Sequence, residues 1–547
     1  MKSFRSCLSS LMGRVRPVSG KVLVKFVAGT AEVAASLAFV WASKNAVDVA
    51  TGSDDGSFSR AVWIFVGIMA FQLLCRIFVR YWEGYIEVTT RNDMRRDVFS
   101  HVMRSVWTGR EKFHSGDTVN RLEQDISLIT DFICVNLPAL LVTVVQLVAA
   151  SVYLFKMAPG LAWVLILIMP AAVLGSMLFF RKMRRMTGEI RALDSRIQGH
   201  IQENLQHRVL VLTLRATGKV MEKLGILQGE VKDKTLVRLN YASVSRAFMS
   251  LGFMGGYALA FLWGASGLRD GSVTYGMMVA FLQLVGQIQR PVAEITRHIP
   301  AFIRALSSEE RLMELLEVGL EDDGEDIVFE GAPGLRVSAL RFSYPGQGRD
   351  ILSGLDHDFA PGSVTVVMGP TGAGKSTLVR LLLALLKPAE GTVELYLGDR
   401  SVPAGPRTRC NFMYVPQGNS LMSGTIRENL LLADPCADEA RMLAALHAAV
   451  ADFVTELPDG LDTVCSEVGS GLSEGQAQRI AIARSLLRPG GILILDEATS
   501  ALDEATEKEL LARLSAGYKG GKTIICITHR PAATALADSV LKLGEDA

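Results

Sequence analysis

Apolar residues form long, nearly unbroken runs in the first half of the chain and short runs of four or five in the second half. The long runs lie near 26–50, 60–85, 133–156, 160–180, 246–268 and 273–296. Each can supply the ~20 residues a helix needs to cross a bilayer. The clearest are LPALLVTVVQLVAASVYLF (137–155) and LAWVLILIMPAAVLGSMLFF (161–180); the first run is the weakest, because it carries Glu32, Lys44 and Asp48. Three connections are short turns, at 51–57, 156–160 and 268–273. The other two are long, polar and rich in Arg and Lys, with RNDMRRDVFSHVMR at 91–104 and RKMRRMTGEIR at 181–191. Positive charge on one side makes that side cytoplasmic, and six spans then place both termini there. These long connections hold little proline, and apolar residues recur among their charges, which predicts helices running beyond the bilayer. A helix over 60–108 would be roughly 70 Å long at 1.5 Å per residue. Two helical hairpins result, with tips at KFHSGDTVNRLEQDI (112–126) and near LQHRVLVL (205–212).

Residues 1–25 are basic and free of acid. They predict an interfacial helix leading into the first span; a mitochondrial transit peptide is the other reading of that composition. Arg76, Arg80, Glu83 and Glu87 fall on the second span, and Gln283, Gln287, Gln289, Arg290, Glu294, Arg297 and His298 on the sixth. Ionisable groups in hydrocarbon are costly and face a cavity or a partner. Two readings stand: a water-accessible path with a positive bias, or pairs such as Arg80–Glu83 and Arg290–Glu294 along helix faces near the cytoplasmic ends.

Composition narrows the class. At 547 residues the chain holds several domains' worth of material, and 49% hydrophobic residues with a mean hydropathy of +0.28 point to membrane segments. A net charge of +1 argues against a nucleic-acid partner recruited by bulk charge. Seven scattered cysteines without C-x-x-C spacing read as free thiols rather than a disulfide framework or zinc site.

A charged helix (RALSSEERLMELLE) and an acidic stretch over 317–331 separate the two halves. The organisation read from the chain is an interfacial segment at 1–25, a transmembrane domain at 26–312, a linker at 313–334 and an α/β domain at 335–547. Strand-like and helical runs alternate after Leu335. Early in that domain stands MGPTGAGKST (368–377), between the apolar strand that ends at Met368 and the helical run that starts at Leu378. The spacing G-x-x-x-x-G-K-[ST] makes a phosphate-binding loop. Its glycines let backbone N–H groups approach phosphate oxygens, and the helix N-terminus adds partial positive charge. The loop backbone runs through Gly369, Pro370, Thr371, Gly372, Ala373, Gly374, Lys375, Ser376 and Thr377. Lys375 suits the β- and γ-phosphates, and the Ser376 hydroxyl suits Mg²⁺. Further on, a buried strand ends in Asp496 and Glu497, an acid to hold Mg²⁺ and an acid to orient water. Another ends in His529, whose imidazole could reach a γ-phosphate.

GLSEGQAQRIAIARSLL (471–487) lies between the phosphate loop and the strand that ends in Asp496. With it the chain resembles an exporter-type half-transporter of the ATP-binding cassette (ABC) family. The phosphate loop, Gln417 after YVP, the signature LSEGQ (472–476), ILILDE, SALD (500–503) and ITH carry the resemblance. So do FHSGDTVNRLEQDI and TYGMMVAFLQLVGQIQRPVAEI in the membrane half, and Glu467 and Gly469 before the signature. The resemblance implies an all-α transmembrane domain of six helices with long cytoplasmic helical extensions, followed by an α/β P-loop ATPase domain, the ABC cassette. It implies ATP and Mg²⁺ as cofactors. Tyr344 would stack on adenine. Lys375 and the loop amides would bind phosphates, while Ser376, Gln417 and Asp496 serve Mg²⁺. Glu497 would act as general base, and His529 would contact the γ-phosphate. Ser473 and Gly475, with Gln476 beside them, would reach ATP held by the opposite cassette. The partners implied are a second copy of this chain or a heterodimeric partner, the lipid bilayer and a transported substrate, with no nucleic acid. The setting implied is a multi-pass protein of the bacterial plasma (inner) membrane with its cassette in the cytoplasm. One departure stands out: the family's usual LSGGQ has Glu474 at its third position. That carboxylate is expected to point away from phosphate.

The leading reading is thus an ATP-driven exporter or flippase. An importer on the same architecture, a nucleotide-gated channel or regulatory subunit, and a cassette protein of soluble systems are the alternatives; the apolar runs weigh against the last. Arginines near the second and sixth spans hint at an anionic amphiphile as substrate, with peptides and drugs left open.

Overall fold

The computed structural model describes residues 4–107, 115–344, 350–465, 471–530, 534 and 537–544. Glu467, Gly469 and the start of the first hairpin tip lie outside these. The chain divides into two compact units: the first holds residues up to Ser100 and Asp117–Leu316, the second His101–Gly116 and Glu317–Ala547.

The first unit is helical. Helices α1 (Phe4–Val15), α2 (Ser19–Ala50) and α3 (Phe58–Arg104) are followed by α4 (Ser115–Asn120), α5 (Ile126–Asp131) and α6 (Leu137–Met157). Then come α7 (Pro159–Met177), α8 (Phe180–Gln206), α9 (Arg208–Thr213), α10 (Thr217–Arg269) and α11 (Tyr275–Leu316). The runs at 26–50, 60–85 and 246–268 lie within α2, α3 and α10; those at 133–156 and 273–296 begin just before α6 and α11, and that at 160–180 passes from α7 through a turn to the start of α8. Among the described residues four helical stretches are long and apolar enough to cross a membrane by length and composition: Phe4–Ala50, Phe58–Arg104, Gly116–Met157 and Thr217–Arg269. Both cytoplasmic extensions are helical, as their low proline content predicts: α3 continues to Arg104, and α8 to α10 form the second hairpin. Two five-residue π turns, Arg121–Asp125 and Phe132–Asn136, interrupt the approach to α6.

Helices α2, α6, α7, α10 and α11 share a core that includes Val40, Leu154, Leu161, Leu165, Phe281 and Leu284. Gly264 lets α10 approach α11, since a Cβ there would lie 3.0 Å from Met278 Cγ. The acids that weakened the first run are accounted for by partners. Asp48 accepts from the backbone N–H of Gly276 at 2.9 Å, capping the start of α11, and pairs with Lys44 at 2.9 Å. Glu32 pairs with Arg76 across helices at 3.2 Å. Glu83 pairs with Lys25 at 2.7 Å rather than with Arg80, because α2 brings a buried ammonium closer than the next helical turn does. Glu87 takes Arg91 at 3.3 Å. The side chain of Arg297 is outside the described residues.

The second unit is α/β. Strands β1 (Gly334–Phe342), β2 (Leu352–Phe359), β4 (Glu390–Leu397) and β5 (Arg400–Pro403) form an antiparallel sheet in the order β2-β1-β4-β5. Strands β3 (Val364–Met368), β6 (Phe412–Val415), β9 (Ile492–Asp496), β10 (Thr523–Ile527) and β11 (Ser539–Lys542) form a parallel sheet in the order β11-β3-β10-β9-β6. Helix α12 (Lys375–Leu382) follows β3, and its apolar face joins one core cluster, with Leu378, Leu381, Ile492 and Ile525. Helices α13 (Ile426–Leu431), α14 (Glu439–Ala448), α15 (Glu474–Leu487) and α16 (Glu504–Tyr518) pack around a second cluster, with Ile426, Leu446, Ile480, Leu493 and Leu510. A short ribbon of β7 (Gly424–Thr425) and β8 (Val464–Cys465) joins these helices.

The acidic stretch after α11 is fastened to the cassette. Arg409 holds Glu321 at 2.5 Å and donates to the carbonyls of Leu383 and Ala384 at the end of α12. Arg407 donates to the Glu325 carbonyl, and Asn411 to that of Ile327. Residues 101–107 are tied to the same stretch: Val106 N donates to the Gly319 carbonyl and Glu321 N to that of Arg104.

Candidate functional site

In a parallel sheet the carboxyl ends of the strands open a crevice where chain direction lets loops converge on a ligand. Register fixes which groups meet there. Ile527 of β10 is opposite both Val367 of β3 and Asp496 of β9, and Leu495 is opposite Val415 of β6. The phosphate loop, Asp496–Glu497, His529 and Gln417 therefore leave neighbouring strand ends together.

The loop turns into α12 through Gly374 at φ 92°, a left-handed conformation that glycine adopts without steric cost. A Cβ there would also press within 3.0 Å of Ile351 Cγ2. Lys375 is buried; its ammonium donates to the carbonyls of Gly369 at 2.7 Å and Pro370 at 3.2 Å. It also lies 2.9 Å from His529 Nε2. That ring nitrogen is 3.1 Å from Glu497 Oε1. One nitrogen either accepts from the lysine or donates to the carboxylate, so the imidazole tautomer selects between the two. Gln417 Nε2 donates to Glu497 Oε2 at 2.6 Å. Glu497 thus sits between an amide and an imidazole, on a backbone at φ 49°. A non-glycine residue in that region carries strain of order 1–3 kcal/mol, which a site retains when it fixes a side chain's aim.

Asp496 is 5% exposed. Burial, and then the Glu497 charge, push its carboxyl above the usual carboxylate range. Tyr414 OH donates to its Oδ2 over a long 3.4 Å. Burial and the same carboxylate push the Tyr414 phenol well above its ordinary range. A buried acid this weakly compensated is a hard-oxygen donor suited to a divalent cation, with the Ser376 hydroxyl and the Gln417 amide as further oxygen donors. Mg²⁺ keeps several waters and takes only one or two carboxylates, so this sparse set fits it.

Tyr344 packs edge-on against Phe342 at 5.0 Å, and its hydroxyl lies 3.3 Å from Thr377 Oγ1. The signature residues stand at the N-terminus of α15. Ser473 and Gln476 close a capping box: Ser473 N donates to Gln476 Oε1 at 2.8 Å, and Gln476 N to Ser473 Oγ at 3.2 Å. The Gln476 side-chain oxygen is thereby engaged at the start of its own helix. Gly475 is needed for packing, since a Cβ would lie 2.8 Å from the Ala501 carbonyl oxygen. Glu474, the first residue of α15, is exposed. Sequence reasoning brought in neither Tyr414 nor Arg380. Tyr414 reaches the site only because β6 is the neighbour of β9. Arg380, on α12, donates to Tyr344 OH at 3.1 Å.

Fold and site together define a P-loop nucleotide hydrolase fused to a helical membrane unit. The family model for the ABC transporter transmembrane region matches residues 22–292, and that for the ABC transporter cassette matches 352–500. The chain belongs to the ABC transporters, with both parts in one polypeptide; it binds ATP and couples ATP hydrolysis to transport. It is 30% identical over 445 residues to the ABC multidrug transporter mdr2 of Aspergillus fumigatus, covering 79% of this chain and 55% of that protein. It is 27% identical over 491 residues to an ATP-dependent lipid A-core flippase of Shewanella denitrificans, covering 88% of this chain and 81% of that protein. The chain thus spans about half the length of the first relative and most of the second. A solved bacterial Atm1-family ABC exporter with ATP bound superposes with a TM-score of 0.78 at 25% identity, covering 96% of this chain and 94% of that one.

Proposed function

We propose that the protein is an ATP-driven exporter or lipid flippase of a bacterial inner membrane, working as a homodimer whose two cassettes share two ATP molecules. The observation that carries this reading is the convergence of Lys375, Gln417, Asp496, Glu497 and His529 on one sheet edge while Ser473 and Gly475 cap a separate helix. Lys375 and the backbone N–H groups of Thr371 to Thr377 bind phosphate. Ser376, Gln417 and Asp496 hold Mg²⁺, which neutralises phosphate charge when bound. Glu497 takes the proton of the attacking water, and His529 holds the γ-phosphate. Tyr344 stacks on the base. Ser473 and Gly475 of one copy complete the site of the other.

A second copy also accounts for the second hairpin. Leu205, Val209, Leu210, Leu212 and Leu214 are all exposed there, in a segment assigned to the cytoplasm, and such a row calls for a covering surface. The membrane domain is assigned to 26–312 and the cassette to 335–547. The substrate class favoured is an anionic, phosphate-bearing amphiphile, in line with the flippase relative and with Arg76 and Arg80 on α3.

Purified protein in liposomes tests this. Anionic lipids are expected to raise ATPase activity, and a labelled one is expected to cross the bilayer only with hydrolysable ATP. Flux down a gradient gated by a non-hydrolysable analogue would mean a channel instead.

A further inference from the structure

Arg380 lies one and a half turns along α12 from Lys375, outside the motif that defines the phosphate loop. Its guanidinium is half-buried and bridges two aromatic groups from distant parts of the chain. One is the ring of Trp107, with the guanidinium carbon 5.1 Å from the ring centroid. The other is Tyr344, which accepts from Arg380 at 3.1 Å through its hydroxyl. Trp107 and Tyr344 both pack on the core cluster that contains α12. Trp107 closes the segment 101–107, which contains the last turn of α3 and the three residues after it, and that segment is braced. His101 Nε2 meets the Val318 carbonyl at 3.1 Å, and Ser105 bridges Leu320. Arg409 then clamps Glu321 to the carboxyl end of α12. A shift of the 101–107 segment therefore moves the face on which Arg380 rests.

We propose that Trp107 and Arg380 form a positioning relay through which the segment after α3 sets the affinity of the site for its purine base. The Trp107 ring holds the guanidinium by cation–π attraction. The guanidinium in turn fixes the tilt of Tyr344 by a hydrogen bond to its hydroxyl, against the edge-on contact with Phe342. The relay rests on Tyr344 contacting the base. Trp107 and Arg380 are positioning residues and touch no reacting atom. Arg380 also faces the metal side, where its charge acts on both Tyr414 and Asp496. The test must separate a base effect from a phosphate effect.

Full-length variants in nanodiscs supply it, with ATPase kinetics and with inorganic tripolyphosphate, which has no base, as a competitive inhibitor. Trp107→Ala is expected to raise the KM for ATP about fivefold, in line with the loss of one cation–π contact, with kcat within about twofold. Arg380→Met should raise KM likewise. Trp107→Phe and Arg380→Lys, which retain the ring and the cation, should stay near the starting KM. The inhibition constant for tripolyphosphate should not move in any of them. Trp107→Ala added to Tyr344→Ala should cost nothing beyond Tyr344→Ala alone. The relay is overturned if Tyr344→Ala raises KM while Trp107→Ala does not, if the two effects multiply, or if tripolyphosphate binding weakens in step. A Tyr344→Ala protein with unchanged KM refutes the base-stacking assignment itself, and the relay with it.

Discussion

Replacing Glu497 by glutamine is expected to stop ATP turnover while leaving ATP binding intact. The carboxylate stands at the end of β9, held at 2.6 Å by the Gln417 amide and at 3.1 Å by the His529 ring. Its backbone lies at φ 49°, a geometry that glutamine inherits unchanged because only the side-chain terminus differs. The substitution therefore removes the proposed proton acceptor without moving the site. General-base catalysis is worth about 10²–10⁴ in rate, so phosphate release should fall by at least about 10²-fold. Labelled ATP should accumulate on the protein, and a stable dimer should appear by gel filtration in ATP. Steady-state hydrolysis at the original rate would sink the general-base assignment.

The second large effect is expected at Gly475. A side chain at this position meets the Ala501 carbonyl oxygen at 2.8 Å and Leu502 Cδ2 at 3.3 Å. Gly475→Asp also places a carboxylate at the N-terminus of α15, where the proposed γ-phosphate belongs. An acid in the first turn of a helix is ordinarily favoured by the dipole, so charge alone should not unfold α15. Overpacking against Ala501 costs about 1–3 kcal/mol, a moderate drop in melting temperature. Turnover should fall much further, by about 10²-fold or more, the scale seen when one oxyanion donor is lost. Gly475→Ala has the steric conflict without the charge. Near-equal turnover loss in the two variants would make the position one of packing only.

The parts legible in the sequence are those written by local periodicity. Long apolar runs became helices, and their proline-poor continuations became the cytoplasmic extensions of α3, α8 and α10. The strand-end acids, Asp496 and Glu497, stood out because an apolar strand delivers them. What stayed hidden depends on tertiary neighbours. Tyr414 reaches Asp496 only through the β6–β9 pairing. The acidic stretch after α11 has the composition of a linker, yet Arg407, Arg409 and Asn411 secure it from more than 80 residues away, as the Arg407–Glu325 separation of 82 and the Arg409–Glu321 separation of 88 show. Glu83 took Lys25 from another helix over Arg80 one turn back. The left-handed backbone of Glu497 has no signature in residue type, since glutamate rarely adopts it.

The central claim is that the ATP site is complete only when a second copy brings its signature to the phosphate loop. A disulfide needs Cα atoms within about 7 Å, a distance that two elements holding one γ-phosphate satisfy. Two differently tagged chains, with the seven native cysteines replaced, would carry Ala373→Cys and Ser473→Cys respectively and be oxidised with and without ATP. The account predicts a bond that joins both tags at doubled mass and forms only with ATP. No bond between the two tagged chains, with or without ATP, would contradict it.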